Sequence, residues 1–568
     1  MMKRGKDKLF DNLPGCAADF IKLVIKKMRY RKKIRDDVRA ELAAHFEDEL
    51  RSCKSDEEKE QKAKKLIEDF GDAKMLAVLL RRAKKRCRPM WQKVLIRSLT
   101  ALGIIIVYIL LCSARLIIGT PSVAVDYTVW LSELARAGRD ESLNARPYFD
   151  KAVELAGEGY ALPEIIEKSR RYWPGDMNEA EKQATIQLLT ESQASFDALK
   201  EGVEKPYYWA DYTGEEKLET DETLAWELMR AAKEQKPQKQ QQIQIEFMSR
   251  EFVKKMFEHL AGYRKIARRL ALQVLWKAYN DDIEGALSDA MVLHKFSKSM
   301  EGHGLLSEQL VAISLEGIAL VRIFTVLNKM DVPADVLKMT QQKLQEQCDN
   351  QRVIISFQAE KVYLYDYIQR TFTDDGKGGG RVLKEGLPLV VTGFQDGVTG
   401  FFFGYPDRRE VTDIIDKYFE EATELLEKTP FQMRSEGLEW TELDKIAHKN
   451  IMLQLLRPAH SQIGQIKWRL TTDRSALLAT LAALRYEKEN GAYPEDLEEL
   501  VSRGYLKKLP MDPWSGRPLV YRKTDDGFTL YSVGLNFTDD GGKVEKNDKG
   551  KSRVWGDKGD AVFWPVSE

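Results

Sequence analysis

Six histidines, five cysteines and one GKGGG stretch are where catalysis, metal binding or phosphate binding would begin in this 568-residue chain, and their spacing supports none of the three. His45, His259, His294, His303, His448 and His460 stand apart in helical stretches, with no HExxH pair for zinc. No GxSxG elbow offers a nucleophilic serine. GKGGG at 376–380 is followed by no Lys-Ser or Lys-Thr at Walker spacing and preceded by no clear strand, so it reads as a flexible loop. Acidic residues abound, but on amphipathic helices they form the solvated face, and no pair is singled out as acid and base. The sequence therefore assigns no catalytic and no cofactor-binding residue, and the expectation is a protein that is not an enzyme. Cysteine adds little: Cys16, Cys53, Cys87 and Cys112 lie in the first 112 residues and Cys348 is alone beyond them. No pair has zinc spacing. Cys348 could cross-link two copies, although a buried or idle thiol is the favoured reading.

The elements that must hold such residues are organised around one apolar run, residues 98–118. At about 1.5 Å per residue it spans roughly 30 Å, the thickness of a bilayer core, and only Arg115 interrupts it, near one end where it can snorkel. It reads as a single transmembrane helix. Before it stand Arg81, Arg82, Lys84, Lys85, Arg86, Arg88, Lys93 and Arg97; after it Asp126, Glu133, Asp140 and Glu141 offset Arg136 and Arg139. The positive-inside rule keeps the N-terminus in the cytoplasm and exports the bulk. The zero net charge hides this asymmetry: residues 1–97 hold 28 Lys+Arg against 16 Asp+Glu, leaving 61 against 73 for the rest. A basic cytoplasmic segment suits anionic lipid, and with no recognition motif present nucleic acid is not expected as a partner.

Residues 17–86 read as a short helical bundle, with Phe20, Val24 and Met28 and then Ile34, Val38, Leu42 and Phe46 on one face. Ser55 and Glu58 form a capping box and Gly71 a stop, bounding a helix over 56–69. Through Glu41, Leu42, His45, Phe70, Gly71 and Asp72 this segment resembles the HAAS or permease-prefix module, which implies a regulatory or protein-contact role. His45 is read as structural. From about 123 to 470 helical periodicity dominates. Over 268–300 one helix is lined by Leu270, Val274, Leu275 and Ala278, turns at 280–282, and returns along Ala286, Leu287, Ala290 and Leu293. The stretch 144–157 looks like a similar pair. No fixed repeat period emerges, so the expectation is an irregular TPR-like solenoid or a bundle. A Gln-rich stretch, 233–244, reads as an exposed connector. The segment 371–410 is Gly-rich, then apolar, with Phe401, Phe402 and Phe403 in a row; core is favoured over a partner contact or a bilayer-surface contact.

The last hundred residues change character. A helix over 476–490 ends at Gly491, and strands near 518–522 and 528–533 flank an Asp525-Asp526-Gly527 hairpin turn. Tyr486, Gly491, Tyr493-Pro494, Leu497, Leu500, Tyr505, Leu506, Leu509-Pro510, Asp512-Pro513-Trp514, Gly516, Pro518, Tyr521, Tyr531-Ser532 and Gly534 resemble, in order and spacing, the C-terminal domain of type II secretion major pseudopilins, the GspG-like family. The resemblance implies calcium in the loop after the YS-G strand. Here Asn536, Asp539 and Asp540 supply hard oxygens, with Asp557 and Asp560 following in the return. A solvated Asp/Gly turn is the alternative, because the insertion around 544–555 departs from the compact family loop. A second departure is larger. In a pseudopilin the hydrophobic N-terminal helix runs directly into this domain, whereas here the apolar run lies more than 350 residues upstream.

The expected fold is mainly α: a basic cytoplasmic helical module (1–97), a transmembrane helix (98–118), a large irregular helical ectodomain (119–464) and a small pseudopilin-like α+β domain with an antiparallel sheet (465–568). The expected role is a single-pass scaffold or adaptor at the bacterial inner membrane, its bulk periplasmic, binding other envelope proteins or itself. A component of a type II secretion or pilus-like apparatus and an unrecognised hydrolase are the alternatives.

Overall fold

The computed structural model describes residues 8–86, 90–157, 173–212, 251–348, 352–391, 394–448, 450–546 and 552–566; the connector at 233–244 and Cys87 lie outside them. Two compact units emerge, Met1–Leu111 and Cys112–Glu568. The protein is mainly helical with a small antiparallel sheet.

In the first unit α1 (Gly15–Lys27), α2 (Lys32–Leu50), α3 (Asp56–Phe70) and α4 (Ala73–Arg86) close on Phe20, Val24, Met28, Val38, Leu42 and Phe46, all buried. The Ser55 hydroxyl accepts from the Glu58 N–H at 3.2 Å, and Gly71, at φ 71°, ends α3 in a conformation that suits glycine. The Glu58 carboxylate reaches back to the N–H of Lys54 rather than of Ser55. His45 packs edge-on against Phe70, ring centroids 5.5 Å apart.

Helix α5 (Met90–Ile117) begins before the apolar run because nothing in 90–97 breaks a helix. Among the described residues, two helices are long and apolar enough to cross a membrane: Val94–Ile117, with none of the apolar window buried, and Leu306–Lys329, with 56% of it buried.

In the second unit follow α6 (Tyr127–Arg136), α7 (Arg146–Leu155), α8 (Glu179–Glu191), α9 (Gln193–Val203), α10 (Glu251–Tyr279), α11 (Ile283–Met300), α12 (Leu306–Lys329) and α13 (Ala334–Gln347). The α10–α11 pair is the one the periodicity marks: Leu270, Val274, Leu275, Ala278, Ala286, Leu287, Ala290 and Leu293 are all buried. Its turn places Asp281 at φ 68°, and the Asp282 carboxylate caps α11 through the Gly285 N–H. Then come α14 (Gln358–Thr371), α15 (Leu387–Val390), α16 (Phe394–Phe403), α17 (Arg408–Glu427), α18 (Pro430–Glu436), α19 (Glu442–Ala447), α20 (Ile451–Asn490) and α21 (Leu497–Ser502).

The Gly-rich stretch is a tight turn: the Asp375 carboxylate accepts from the N–H groups of Lys377 and Gly379, and a Cβ on Gly380 would come 1.7 Å from the Thr373 carbonyl. Of the apolar part that follows, Val382, Val390 and Val391 join the main core and Phe401 and Phe402 are half-buried, while Phe403 is 83% exposed. A boundary at 464/465 falls inside the 40-residue α20, so helical body and C-terminal region share one helix.

That helix carries the sheet. β1 (Val520–Thr524) pairs antiparallel with β2 (Gly527–Ser532) through the Asp525-Asp526 turn, and β2 pairs with β5 (Ala561–Trp564) with a bulge at Leu530/Tyr531. β3 (Glu545–Lys546) and β4 (Ser552–Arg553) form a separate ribbon.

Candidate functional site

The residues that carry the C-terminal resemblance do identifiable structural work. Asp512, 1% exposed, accepts from the Trp514 N–H at 3.0 Å, the Ser532 hydroxyl at 2.8 Å and the Val533 N–H at 3.1 Å, locking the Asp-Pro-Trp turn to the end of β2. Burial raises its carboxyl above the ordinary range, and these donors oppose the rise. The Tyr521 hydroxyl donates to the Pro494 carbonyl at 2.9 Å. Gly534 sits at φ 69°, where a Cβ would also press within 3.0 Å of the Gly559 carbonyl. The Phe431 N–H of α18 donates to the Pro513 carbonyl at 3.0 Å, so the turn is docked on the helical body.

Beyond β2 the loop gathers most of the acidic residues expected to bind calcium. Asp560, 1% exposed, accepts from the N–H groups of Asp540 at 3.1 Å, Gly542 at 2.6 Å and Lys543 at 3.3 Å. Asn536 donates its amide to Asp540 at 2.7 Å. Asp539 accepts from the Tyr531 hydroxyl and the Gly541 N–H, both at 2.9 Å, and faces Arg522 at 3.4 Å. Burial and the neighbouring charges of Asp539 and Asp540 push the Asp560 carboxyl up, against the pull of its N–H donors. Burial also acts on Asp539, but the Gly541 N–H, Tyr531 and Arg522 leave it below the ordinary value. The carboxylates of Asp539 and Asp540, on a turn with positive-φ Gly541 and Gly542, offer the hard oxygens a cation takes, whereas the Asp560 oxygens are committed to backbone N–H groups. Asp557 is exposed, lines a neighbouring cleft and acts on Arg469.

That cleft, about 640 Å³, lies between α17–α18, α20 and the C-terminal turns, walled by Trp440, Trp468, Trp514, Phe537, Arg434 and Asp557. Trp468 and Trp514 are buried, and their indole N–H groups have no hydrogen-bond partner among the described residues.

A second polar cluster, invisible in the sequence, sits in the core. Arg474 of α20 is fully buried; its Nη2 donates to Glu316 at 2.6 Å and to Glu301 at 2.8 Å, its Nε to Glu316, and its Nη1 to the Arg352 carbonyl at 3.0 Å. On the far side His294 Nε2 lies 3.4 Å from Glu316 and 3.6 Å from the Cys348 sulfur, while Nδ1 meets Gln347. His294, Glu316 and Cys348 are close enough to share a metal ion, but both Glu316 oxygens already accept from Arg474, whose positive charge opposes a cation there. The arrangement is an ion network. Burial opposes the imidazolium, yet Cys348 and Glu316 raise its pKa to about 9, so His294 is charged at neutral pH and donates from both nitrogens. Cys348 is buried, in line with the favoured reading of a buried thiol. Asp473, one residue before Arg474, accepts from the Trp555 indole at 3.0 Å and is pushed up to about 7 by burial. Its neighbours on α20 and its contact in the C-terminal region bind body and module together.

No family model and no solved structure matches the chain. The chain is similar to the type II secretion system core protein G of Pseudomonas aeruginosa, 38% identical over an 87-residue alignment that takes in 12% of this chain and 61% of that protein. The chain thus spans less than two thirds of that relative, and the HAAS-like resemblance of the N-terminal unit gains no support from these comparisons.

Proposed function

We propose that this chain is a single-pass bacterial inner-membrane protein, its basic four-helix module in the cytoplasm and its larger unit exported as a non-catalytic scaffold or adaptor for envelope proteins or for copies of itself. The observation that carries this reading is the burial of α20. Ala476, Leu477, Leu478, Ala479, Leu481, Ala482 and Ala483 are at most 1% exposed, packed among α12, α13, α17 and the sheet. In the resembled family the helix entering the domain is an apolar stem; here that face is consumed inside the chain, which speaks against fibre assembly. The module keeps its sheet and loops for contact with partners.

The similarity to a type II secretion protein favours a second reading, an accessory of that apparatus. Cross-linked membranes carrying the tagged full-length chain test both: recovery of the secretion platform's inner-membrane proteins supports the accessory, and recovery of other envelope proteins or of the chain alone supports the scaffold. Reporter fusions after residue 86 and at the C-terminus test orientation, with a cytoplasmic first reporter and an exported second one expected. Calcium belongs to this proposal too, held by Asn536, Asp539 and Asp540, with Asp560 fixing the loop through its backbone N–H groups. An unchanged melting temperature in excess calcium and in chelator removes it.

A further inference from the structure

The outer end of α5 does not emerge into open solvent. Its last turn is packed into the exported unit: Leu116 lies against the main core, and Arg115 and Leu116 share the wall of a small cavity with Gly400, Phe401 and Tyr405. Arg381 donates to the Ile118 carbonyl, a Cβ on Gly119 would press within 2.9 Å of Thr373, and one on Gly404 would meet the Arg115 guanidinium at 4.0 Å. The Gly-rich turn and α16 therefore form a collar around the point where the chain leaves α5.

On that collar sits the most exposed large apolar side chain among the described residues, Phe403, 83% exposed at the C-terminal end of α16. Val398 on the same helix is 41% exposed, and Ile117 and Ile118 at the end of α5 are 66% and 64% exposed. Apolar surface of this kind is rarely left to water. A ten-residue helix with apolar side chains outward, fixed to the end of a bilayer-crossing helix, is held at headgroup depth by covalent and packing geometry alone. Arg115 and Arg381 line the same cavity at the end of α5, and long cationic side chains at such a position can snorkel to phosphates.

We propose that α16 is a membrane-contact helix: Phe403 and Val398 enter the boundary between headgroups and acyl chains of the bilayer that α5 crosses, fixing how the exported unit meets the membrane. The inference rests on the membrane reading of α5. Continuity with that span, through the packing of Arg115 and Leu116 against α16, selects lipid over a partner protein.

The test is site-specific photocross-linking of the full-length chain in its own membrane vesicles, with p-benzoylphenylalanine in place of Phe403, of Ile109 within the span, or of Met511, which is 51% exposed on the C-terminal module. Phospholipid adducts at 403 and 109, at least about tenfold above those at 511, are expected from the partitioning of one buried phenylalanine side chain. Lipid adducts at 109 with none at 403 overturn the inference and leave α5 as a span. Adducts at 403 to protein alone, with lipid at 109, overturn it in favour of a partner. Absence of lipid at 109 overturns the span and the inference with it.

Discussion

Helices α5 and α12 pass the same test of length and apolarity, 24 residues each, yet none of the apolar window of one is buried and 56% of the other's is. The difference lies in what each carries between its apolar residues. Glu308, Glu316 and Arg322 are buried along α12, and Glu308 accepts from the hydroxyls of Tyr208 and Tyr212 while Glu316 receives Arg474. Such groups need fixed partners on neighbouring helices. Between Arg97 and Arg115, α5 has no charged residue at all. Hydropathy alone does not tell these two helices apart; buried charges that demand partners do.

The largest effect that sharpens this contrast is expected from Arg474→Met, which leaves Glu316 and Glu301 buried without their cation and costs about 3–5 kcal/mol. Calorimetry of the full chain in detergent measures it, and a melting temperature within experimental error of the parent breaks the ion-network reading. Next, Leu315→Ala on α12, where the side chain is fully buried, costs about 2–5 kcal/mol, whereas Leu110→Ala on α5, 62% exposed, changes folding stability by less than about 0.5 kcal/mol. Equal costs would place both helices in the core.

A smaller effect follows from pH. The His294 pKa is raised from 6.5 to about 9, so its contribution is fully present below pH 6.5 and is lost as pH rises through 9. Glu360 and Asp473, raised to about 8 and about 7 by burial, favour the protonated folded form and likewise weaken the protein as pH rises from about 4 to 8. Denaturant titrations from pH 6 to 9.5 are expected to show falling stability, with the fall above pH 7 smaller in His294→Gln. An unchanged slope in that variant removes the imidazolium. The smallest effect is calcium's: a rise in melting temperature of a few degrees, reduced in Asp540→Asn, read by scanning fluorimetry.

Local features of the fold are legible in the sequence because they depend on neighbours along the chain. The Ser55 cap, the turn between α10 and α11 and the Asp525-Asp526-Gly527 hairpin all arise from residues within a few positions of one another. What the sequence hides is distance. Arg474 and Glu316 are 158 positions apart, and each alone looks like a charge stranded on an apolar face. Phe401 to Phe403 reads as core because apolar runs usually are; only the packing of α16 against the end of α5 reveals its outward side. In the acidic loop, composition identifies the residues, while the backbone N–H groups that occupy Asp560 come from a turn whose path composition does not encode.

Helix α20 is one continuous strut of 40 residues, about 60 Å long, rooted among the body helices at one end and bearing the sheet at the other. A partner that grips the module therefore loads a helix with no proline or glycine between Arg474 and Asn490. Any tug or twist applied there is delivered to the interior at Arg474, midway along the helix, where two carboxylates from other helices hold it.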